Sequence, residues 1–93
     1  MGNVGKVDVD DCGELVKATL ERFKHLINPK RVATYGGSHG GYLTGMLIGS
    51  PKYKDLFSSA ILWNPCINFN YMYASTDIPD WIRACILGKD LEY

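Results

Sequence analysis

A serine closely flanked by glycines lies between two apolar segments, and this feature constrains the fold more than any other. Residues 36–40 read Gly-Gly-Ser-His-Gly, which is the spacing G-x-S-x-G with Ser38 at its centre. Small residues at these positions let a strand and a helix approach closely while the serine occupies a strained turn. The apolar segment 31–35 predicts a buried strand, and segment 42–48 predicts a helix. This order of strand, turn and helix predicts a nucleophile elbow with Ser38 as the nucleophile.

A helix is predicted before the elbow. Acidic residues at 8–11 suit the positive end of a helix dipole, and Asp11 followed by Glu14 resembles a capping box. Four apolar residues then recur at helical spacing and predict one buried stripe. They are Val16, Leu20, Phe23 and Ile27. Asn28-Pro29 should end this helix, because the residue before a proline avoids the helical conformation.

A second buried strand is predicted after the elbow helix, at 59–63, and Asn64-Pro65 should end it. Segment 52–57 suits a loop or a helical turn, segment 67–76 has no clean period, and a short helix is expected near Trp81. The order α-β-elbow-α-β indicates an α/β fold, because strands that alternate with helices form parallel sheets covered on both faces. With only two strands, the sequence predicts a partial α/β-hydrolase fold with an incomplete sheet.

This sequence contains only some of the groups that a nucleophilic serine needs for catalysis. The backbone N–H of His39, the residue after the nucleophile, should provide one oxyanion-hole donor. A serine nucleophile also needs a histidine base, which follows it in the chain order Ser, Asp, His. The only histidine after Ser38 is its neighbour His39, and His25 lies near the end of the first helix. No upstream HGG-type loop supplies a second donor. We therefore expect the isolated chain to have little or no activity.

Two other interpretations of the glycine cluster stay open. One is a glycine-rich loop whose serine has no chemical role. The other is a phosphate-binding βαβ unit, although the required G-K-[ST] or G-x-G-x-x-G pattern is missing from residues 36–41. The hydrolase interpretation is favoured because it alone uses the strand, the serine and the helix together.

Charge and cysteine content argue against several classes of partner and cofactor. Ten acidic and ten basic residues cancel, so the basic excess that nucleic-acid or anionic-membrane binding requires is absent. Three cysteines, Cys12, Cys66 and Cys85, are an odd number without C-x-x-C spacing. This argues against a disulfide framework or a metal site, and no cofactor is expected. Neither a leader nor a segment long enough to span a bilayer is apparent, so a soluble cytoplasmic protein is expected.

Residues 31–41 around the elbow resemble the elbow of the prolyl oligopeptidase family. Gly2–Asp11 before the first helix and Ser75–Trp81, which reads Ser-Thr-Asp-Ile-Pro-Asp-Trp, narrow the resemblance to its acylaminoacyl-peptidase branch, and together these motifs are highly specific. Asn64-Pro65 and Ile67-Asn68 also fit this branch. The resemblance covers about residues 2–81, and the tail 82–93 departs from it. The chain is thus expected to be a partial peptidase domain over 1–93 with a divergent tail.

The resemblance implies a cytosolic serine hydrolase with a β-propeller and a C-terminal α/β-hydrolase domain. Such enzymes release an N-acylated amino acid from the N-terminus of a short peptide. Ser38 matches the family's nucleophile and His39 its oxyanion-hole residue, whereas the family's catalytic Asp and His would lie beyond Tyr93. A truncated, non-catalytic product that binds an intact subunit is the alternative, and self-association of the intact enzyme into a homo-oligomer is left open.

Overall fold

The computed structural model describes residues 4–87, and their elements follow the predicted alternation of helices and strands. The order is α1 (Val7–Arg22), β1 (Ala33–Gly37), α2 (His39–Gly49), a 3-10 turn (Lys54–Leu56), β2 (Ser59–Trp63), α3 (Phe69–Ser75) and α4 (Pro79–Leu87). No helix within this described part has the length and apolarity needed to cross a membrane.

The sheet has two parallel strands among the described residues, with α2 connecting them. The register places Tyr35 opposite Ile61 and Gly37 opposite Trp63. Parallel strands need such a crossover, because a tight hairpin joins only antiparallel neighbours. The apolar residues of both strands therefore alternate between a face that α2 covers and a face that it leaves open.

Helix α2 packs closely on one face of the sheet. The hydroxyls of Thr34 on β1 and Thr44 on α2 lie 3.3 Å apart. A methyl group at Gly45 would touch the Leu62 side chain at 3.4 Å. Thr44 is fully buried, and its hydroxyl has a partner there, as a buried polar group requires.

The opposite face of the sheet is exposed. Tyr35, Ile61 and Trp63 keep 64%, 62% and 61% of their surface open to solvent. A complete parallel sheet is covered on both faces, whereas in residues 4–87 the helices cover only one face of the incomplete, two-stranded sheet. Parallel sheets are normally buried on both faces, so this face has the composition of an interior surface.

The core lies where α1, α2 and the 3-10 turn meet. It is built on Val9, Leu47 and Tyr53, which are 6%, 5% and 1% exposed. The Tyr53 ring packs where Gly13 on α1 has no side chain, and a methyl group there would overlap the ring. The Tyr53 hydroxyl lies 2.9 Å from Asp10 Oδ1, so its buried ring has a satisfied polar end.

The predicted start of α1 is wrong. The helix begins at Val7, four residues before Asp11, so Asp11 does not cap it and no capping box forms with Glu14. Asp8 bonds the backbone at this end instead, since its Oδ1 accepts from the N–H groups of Gly5 and Val9.

The predicted end of α1 is also too late. The helix stops at Arg22, and the chain then turns about the Phe23 carbonyl, which accepts from the N–H of Ile27. Leu26 beside it is 75% exposed. The apolar stripe thus continues past the end of the helix.

The elbow elements reach closer to Ser38 than the apolar segments alone indicated, and β1 begins at Ala33 rather than at the predicted residue 31. Strand β1 continues through Gly36 and Gly37, which pair with Leu62 and Trp63, and α2 begins at once with His39. Pairing with β2 explains this, since a ladder can include glycines that have no strand preference of their own.

The region after β2 contains a helix that periodicity did not reveal. Asn68 caps α3 by accepting from the N–H of Tyr71 at 2.9 Å, which is a recognisable N-cap signal. The helix expected around Trp81 is confirmed as α4, which also contains the first six residues of the predicted divergent tail, 82–87. The rest of that tail lies outside the described residues.

Candidate active site

The backbone of Ser38 has the strained conformation that the elbow requires. Its φ is 53° and its ψ is −118°, outside the regions that a side chain normally allows. Such a conformation costs about 1–3 kcal/mol and persists only where neighbours enforce it. The Ser38 N–H donates to the Trp63 carbonyl at 3.0 Å, and the Ser38 carbonyl accepts from Tyr42 at 3.1 Å and Cys66 at 3.3 Å. The strand, the helix and the following loop therefore each fix this residue.

The glycines around Ser38 differ in how closely neighbouring atoms approach the position that a Cβ would occupy. A methyl group at Gly36 would overlap the Gly40 carbonyl and approach Thr44 Oγ1 to 2.7 Å. One at Gly41 would lie 3.0 Å from the backbone of Pro65. One at Gly40 meets no described atom within 4 Å. The close approach that the motif predicts is therefore made at Gly36 and Gly41, and Gly40 does not contribute to it here.

The side chain of Ser38 is adjacent to Cys66. Ser38 Oγ and Cys66 Sγ lie 3.8 Å apart, and Cys66 is only 7% exposed. From the sequence, Cys66 was considered as a disulfide or metal candidate, and this contact was not predicted. The sequence did contain a signal, since Cys66 directly follows Asn64-Pro65 at the end of a predicted strand. Ligand-binding and catalytic sites of α/β sheets form where the carboxyl ends of parallel strands meet. Asn64 itself has a φ of 42°, so the chain turns sharply at that point.

The start of α2 provides backbone donors beside the nucleophile. The first helical hydrogen bond is the one from the Tyr42 N–H to the Ser38 carbonyl. The N–H groups of His39, Gly40 and Gly41 precede it and have no acceptor within the helix. Donors at a helix N-terminus favour negative charge, so this end of α2 suits an oxyanion.

The imidazole of His39 is bonded to α1. Its Nε2 lies 3.1 Å from Asp8 Oδ2, and its ring stacks on Tyr42 with centroids 6.1 Å apart. Burial, and secondarily the Asp8 carboxylate, raise the pKa of Tyr42. Asp8 was predicted only as part of an acidic helix start, and no sequence signal pointed to this contact.

No histidine described here is hydrogen-bonded to the nucleophile. Ser38 Oγ bonds only Cys66 within residues 4–87, and His25 is an exposed residue in the turns after α1. These residues also contain no group of three His, Cys, Asp or Glu side chains able to hold a metal ion. Within residues 4–87, the arrangement therefore presents the Ser38 hydroxyl next to backbone donors, without a histidine hydrogen-bonded to it.

Comparison with known proteins identifies the family. Residues 1–89 match the prolyl oligopeptidase family. The chain belongs to that family. The elbow strand, Ser38 and the helix after it lie well inside the matched region, so the α/β-hydrolase fold applies to the segment that holds the candidate site.

Relatives of this chain include acylamino-acid-releasing enzymes and a member of the dipeptidyl peptidase family. The acylamino-acid-releasing enzyme of Rattus norvegicus is 48% identical over 99% of this chain, and acylamino-acid-releasing enzyme 1 of Oryza sativa subsp. japonica is 40% identical over 96%. Dipeptidyl peptidase family member 1 of Caenorhabditis elegans is 32% identical over 80%. The chain spans only about 12% of the length of the rat enzyme. No solved structure matches it.

Proposed function

We propose that this chain is the nucleophile-bearing segment of an acylamino-acid-releasing serine peptidase. The observation that carries the proposal is the strained Ser38 backbone, held between β1, α2 and the Cys66 loop in a member of this family. The high identity to acylamino-acid-releasing enzymes supports an N-acylated peptide as the substrate. A cytoplasmic location remains a prediction from the sequence.

In the proposed reaction, Ser38 Oγ attacks the carbonyl carbon of the N-terminal acylamino acid. The oxyanion that forms accepts a hydrogen bond from the His39 N–H at the start of α2. Collapse of this intermediate expels the peptide amine and leaves the acylamino acid esterified to Ser38, and water then releases it. A histidine outside this sequence takes the proton from Ser38 Oγ and gives it to the leaving amine, and an aspartate orients that histidine without being protonated itself. The exposed sheet face fits the same proposal, because further strands and helices of a complete domain would cover it.

A chimeric enzyme tests this proposal directly. The matching segment of the rat enzyme is replaced by this sequence, and hydrolysis of an N-acetylalanyl chromogenic amide is measured, with the rice enzyme as a second host if the rat chimera does not fold. We expect turnover well above background, and a loss of at least about a thousandfold in Ser38→Ala, because the acyl-enzyme cannot form. Circular dichroism and thermal melting confirm that both proteins fold. A folded chimera without activity, or an active Ser38→Ala variant, would refute the proposal.

The exposed sheet face favours a second candidate function, a non-catalytic partner of an intact subunit. Tyr35, Ile61 and Trp63 form an apolar surface of the kind that marks a protein contact. The test is co-purification of the tagged 93-residue chain with the intact rat enzyme, against an Ile61→Thr variant. Co-purification of the rat enzyme with the original chain but not with the variant supports this candidate. Co-purification with neither chain rejects it.

A further inference from the structure

We propose that Asp8 is a positioning residue for the oxyanion hole, acting through the side chain of His39. This inference rests on the proposed function, since it assigns a role to Asp8 in stabilising the intermediate formed on Ser38. Asp8 lies 31 positions from His39 in the sequence, and their side chains meet at 3.1 Å between Asp8 Oδ2 and His39 Nε2.

The Asp8 carboxylate is itself held in place. Its other oxygen, Oδ1, accepts from the Gly5 N–H at 2.7 Å and from the Val9 N–H at 2.9 Å. The side chain is 23% exposed, so it is largely withdrawn from solvent. Hydrogen bonds to a carboxylate are stronger than those between neutral groups, and both of these come from the backbone. Asp8 is therefore a fixed acceptor rather than a mobile surface acid.

The His39 ring is confined on a second side by aromatic packing. It stacks on Tyr42 with an interplanar angle of 14°, and the Tyr42 ring packs on Phe69 at 4.9 Å. Gly5 approaches the Tyr42 hydroxyl so closely that a methyl group there would overlap it. Tyr42 is thus contacted by the segment before α1 and by the start of α3, and the His39 ring stacks on it.

Fixing the ring also restrains the backbone to which it is attached. His39 is the first residue of α2, where no helical hydrogen bond holds its N–H. The peptide group that carries this N–H is also held through the Ser38 carbonyl, which accepts from the N–H groups of Tyr42 and Cys66. Helix ends tend to fray, and the Asp8 contact adds a side-chain restraint there, one residue from Ser38. An oxyanion donor is effective when it is preorganised. A loose His39 would therefore weaken binding of the transition state more than binding of the substrate.

The test compares Asp8→Ala, Asp8→Asn and Asp11→Ala in the active chimera. Asp11 is an exposed residue of the same helix and serves as the matched control. Asp8→Ala should lower kcat about tenfold and change KM less than about twofold, because removing a donor outright costs a hundredfold or more and loosening one costs less. Asp8→Asn keeps the acceptor for Gly5 and Val9 and can donate to the neutral imidazole, so it should recover most of kcat. If Asp8→Ala does not fold, Asp8→Asn and His39→Ala are compared instead.

Two further measurements separate positioning from a general loss of stability. Affinity for a peptide boronate, whose adduct on Ser38 carries a negative charge, should fall in Asp8→Ala in parallel with kcat. The double variant Asp8→Ala/His39→Ala should be no worse than His39→Ala alone, since both act through one contact.

The outcomes distinguish this inference from the proposed function. The role of Asp8 alone is overturned if, in an active chimera, Asp8→Ala has the same kcat as Asp11→Ala. It is also overturned if the losses of kcat caused by Asp8→Ala and His39→Ala are additive in the double variant. An active Ser38→Ala variant, or a folded but inactive unmodified chimera, overturns the proposed function and this inference with it.

Discussion

At the scale of single residues, the conformation of Ser38 depends on the absence of a side chain at Gly36. Gly36 lies beneath the turn, where the first residues of α2 cross the end of β1. Any Cβ there would push the Gly40 carbonyl and Thr44 away from the strand. The position of Ser38, the proposed nucleophile, therefore depends on a neighbour that has no side chain.

Gly36→Ala should destabilise the chimera by about 1–3 kcal/mol and abolish labelling of Ser38 by a fluorophosphonate, because overpacking forces the backbone to shift. Gly40→Ala is the matched control, since a methyl group there meets no described atom within 4 Å and alanine favours a helix. Urea midpoints and labelling rates measure both effects. Equal behaviour of the two variants would show that the tight approach at Gly36 is not required.

The motif could predict the local backbone around Ser38 but not its tertiary contacts. G-x-S-x-G between two apolar segments was sufficient to predict the strand, the turn and the helix, because those depend on neighbours in sequence. The contacts of Ser38 with Cys66 and of His39 with Asp8 join residues 28 and 31 positions apart. They depend on how β2 and α1 pack against the elbow, which local patterns do not encode.

At the scale of elements, a polar network attaches α1 to the turn before β2. Glu14 Oε1 lies 3.0 Å from Lys52 Nζ and 3.1 Å from the Tyr53 hydroxyl. The hydrogen bond from Lys52, followed by that from Tyr53, lowers the pKa of Glu14. Hydrogen bonds to Tyr53 and Glu14 raise the pKa of Lys52 above its ordinary value. Glu14 was predicted as a capping residue, and its observed role is this tertiary contact.

The network predicts a small pH dependence of stability. Since the pKa of Glu14 is lowered on folding, its contribution is complete above the ordinary value of 4.5 and is lost as the pH falls through the lowered value. The raised pKa of Lys52 works in the opposite sense, so its contribution is complete below 10.5 and is lost only at higher pH. Both side chains are more than half exposed, so the effect should be modest and weaker in high salt.

Glu14→Gln tests this account. The variant of the chimera should be slightly less stable than the parent at pH 7, and the difference should vanish as the pH falls below the Glu14 pKa. Urea unfolding at pH 7, 5 and 3 measures it, with Glu21→Gln as a control on an exposed local pair with Lys24. A difference that grows towards pH 3 would have the wrong sign for a stabilised carboxylate.

At the scale of the whole molecule, the described residues form one side of a layered structure. Helices cover the face that contains Thr34 and Leu62, while Tyr35, Ile61 and Trp63 remain open on the other. Alternating elements allowed the parallel sheet to be predicted. They also suggested cover on both faces, which the described residues do not provide. In the proposed complete domain, this open face becomes an interior surface.

The measurement that tests the central claim most directly is the identity of the residue that a fluorophosphonate modifies. The chimera, its Ser38→Ala variant and the isolated 93-residue chain are treated with the probe, digested and mapped by mass spectrometry. We predict one stoichiometric adduct on Ser38 in the chimera, none in Ser38→Ala, and little in the isolated chain, because no histidine among residues 4–87 is hydrogen-bonded to Ser38. An adduct on another residue of a folded chimera, or rapid labelling of Ser38 in the isolated chain, would contradict this account.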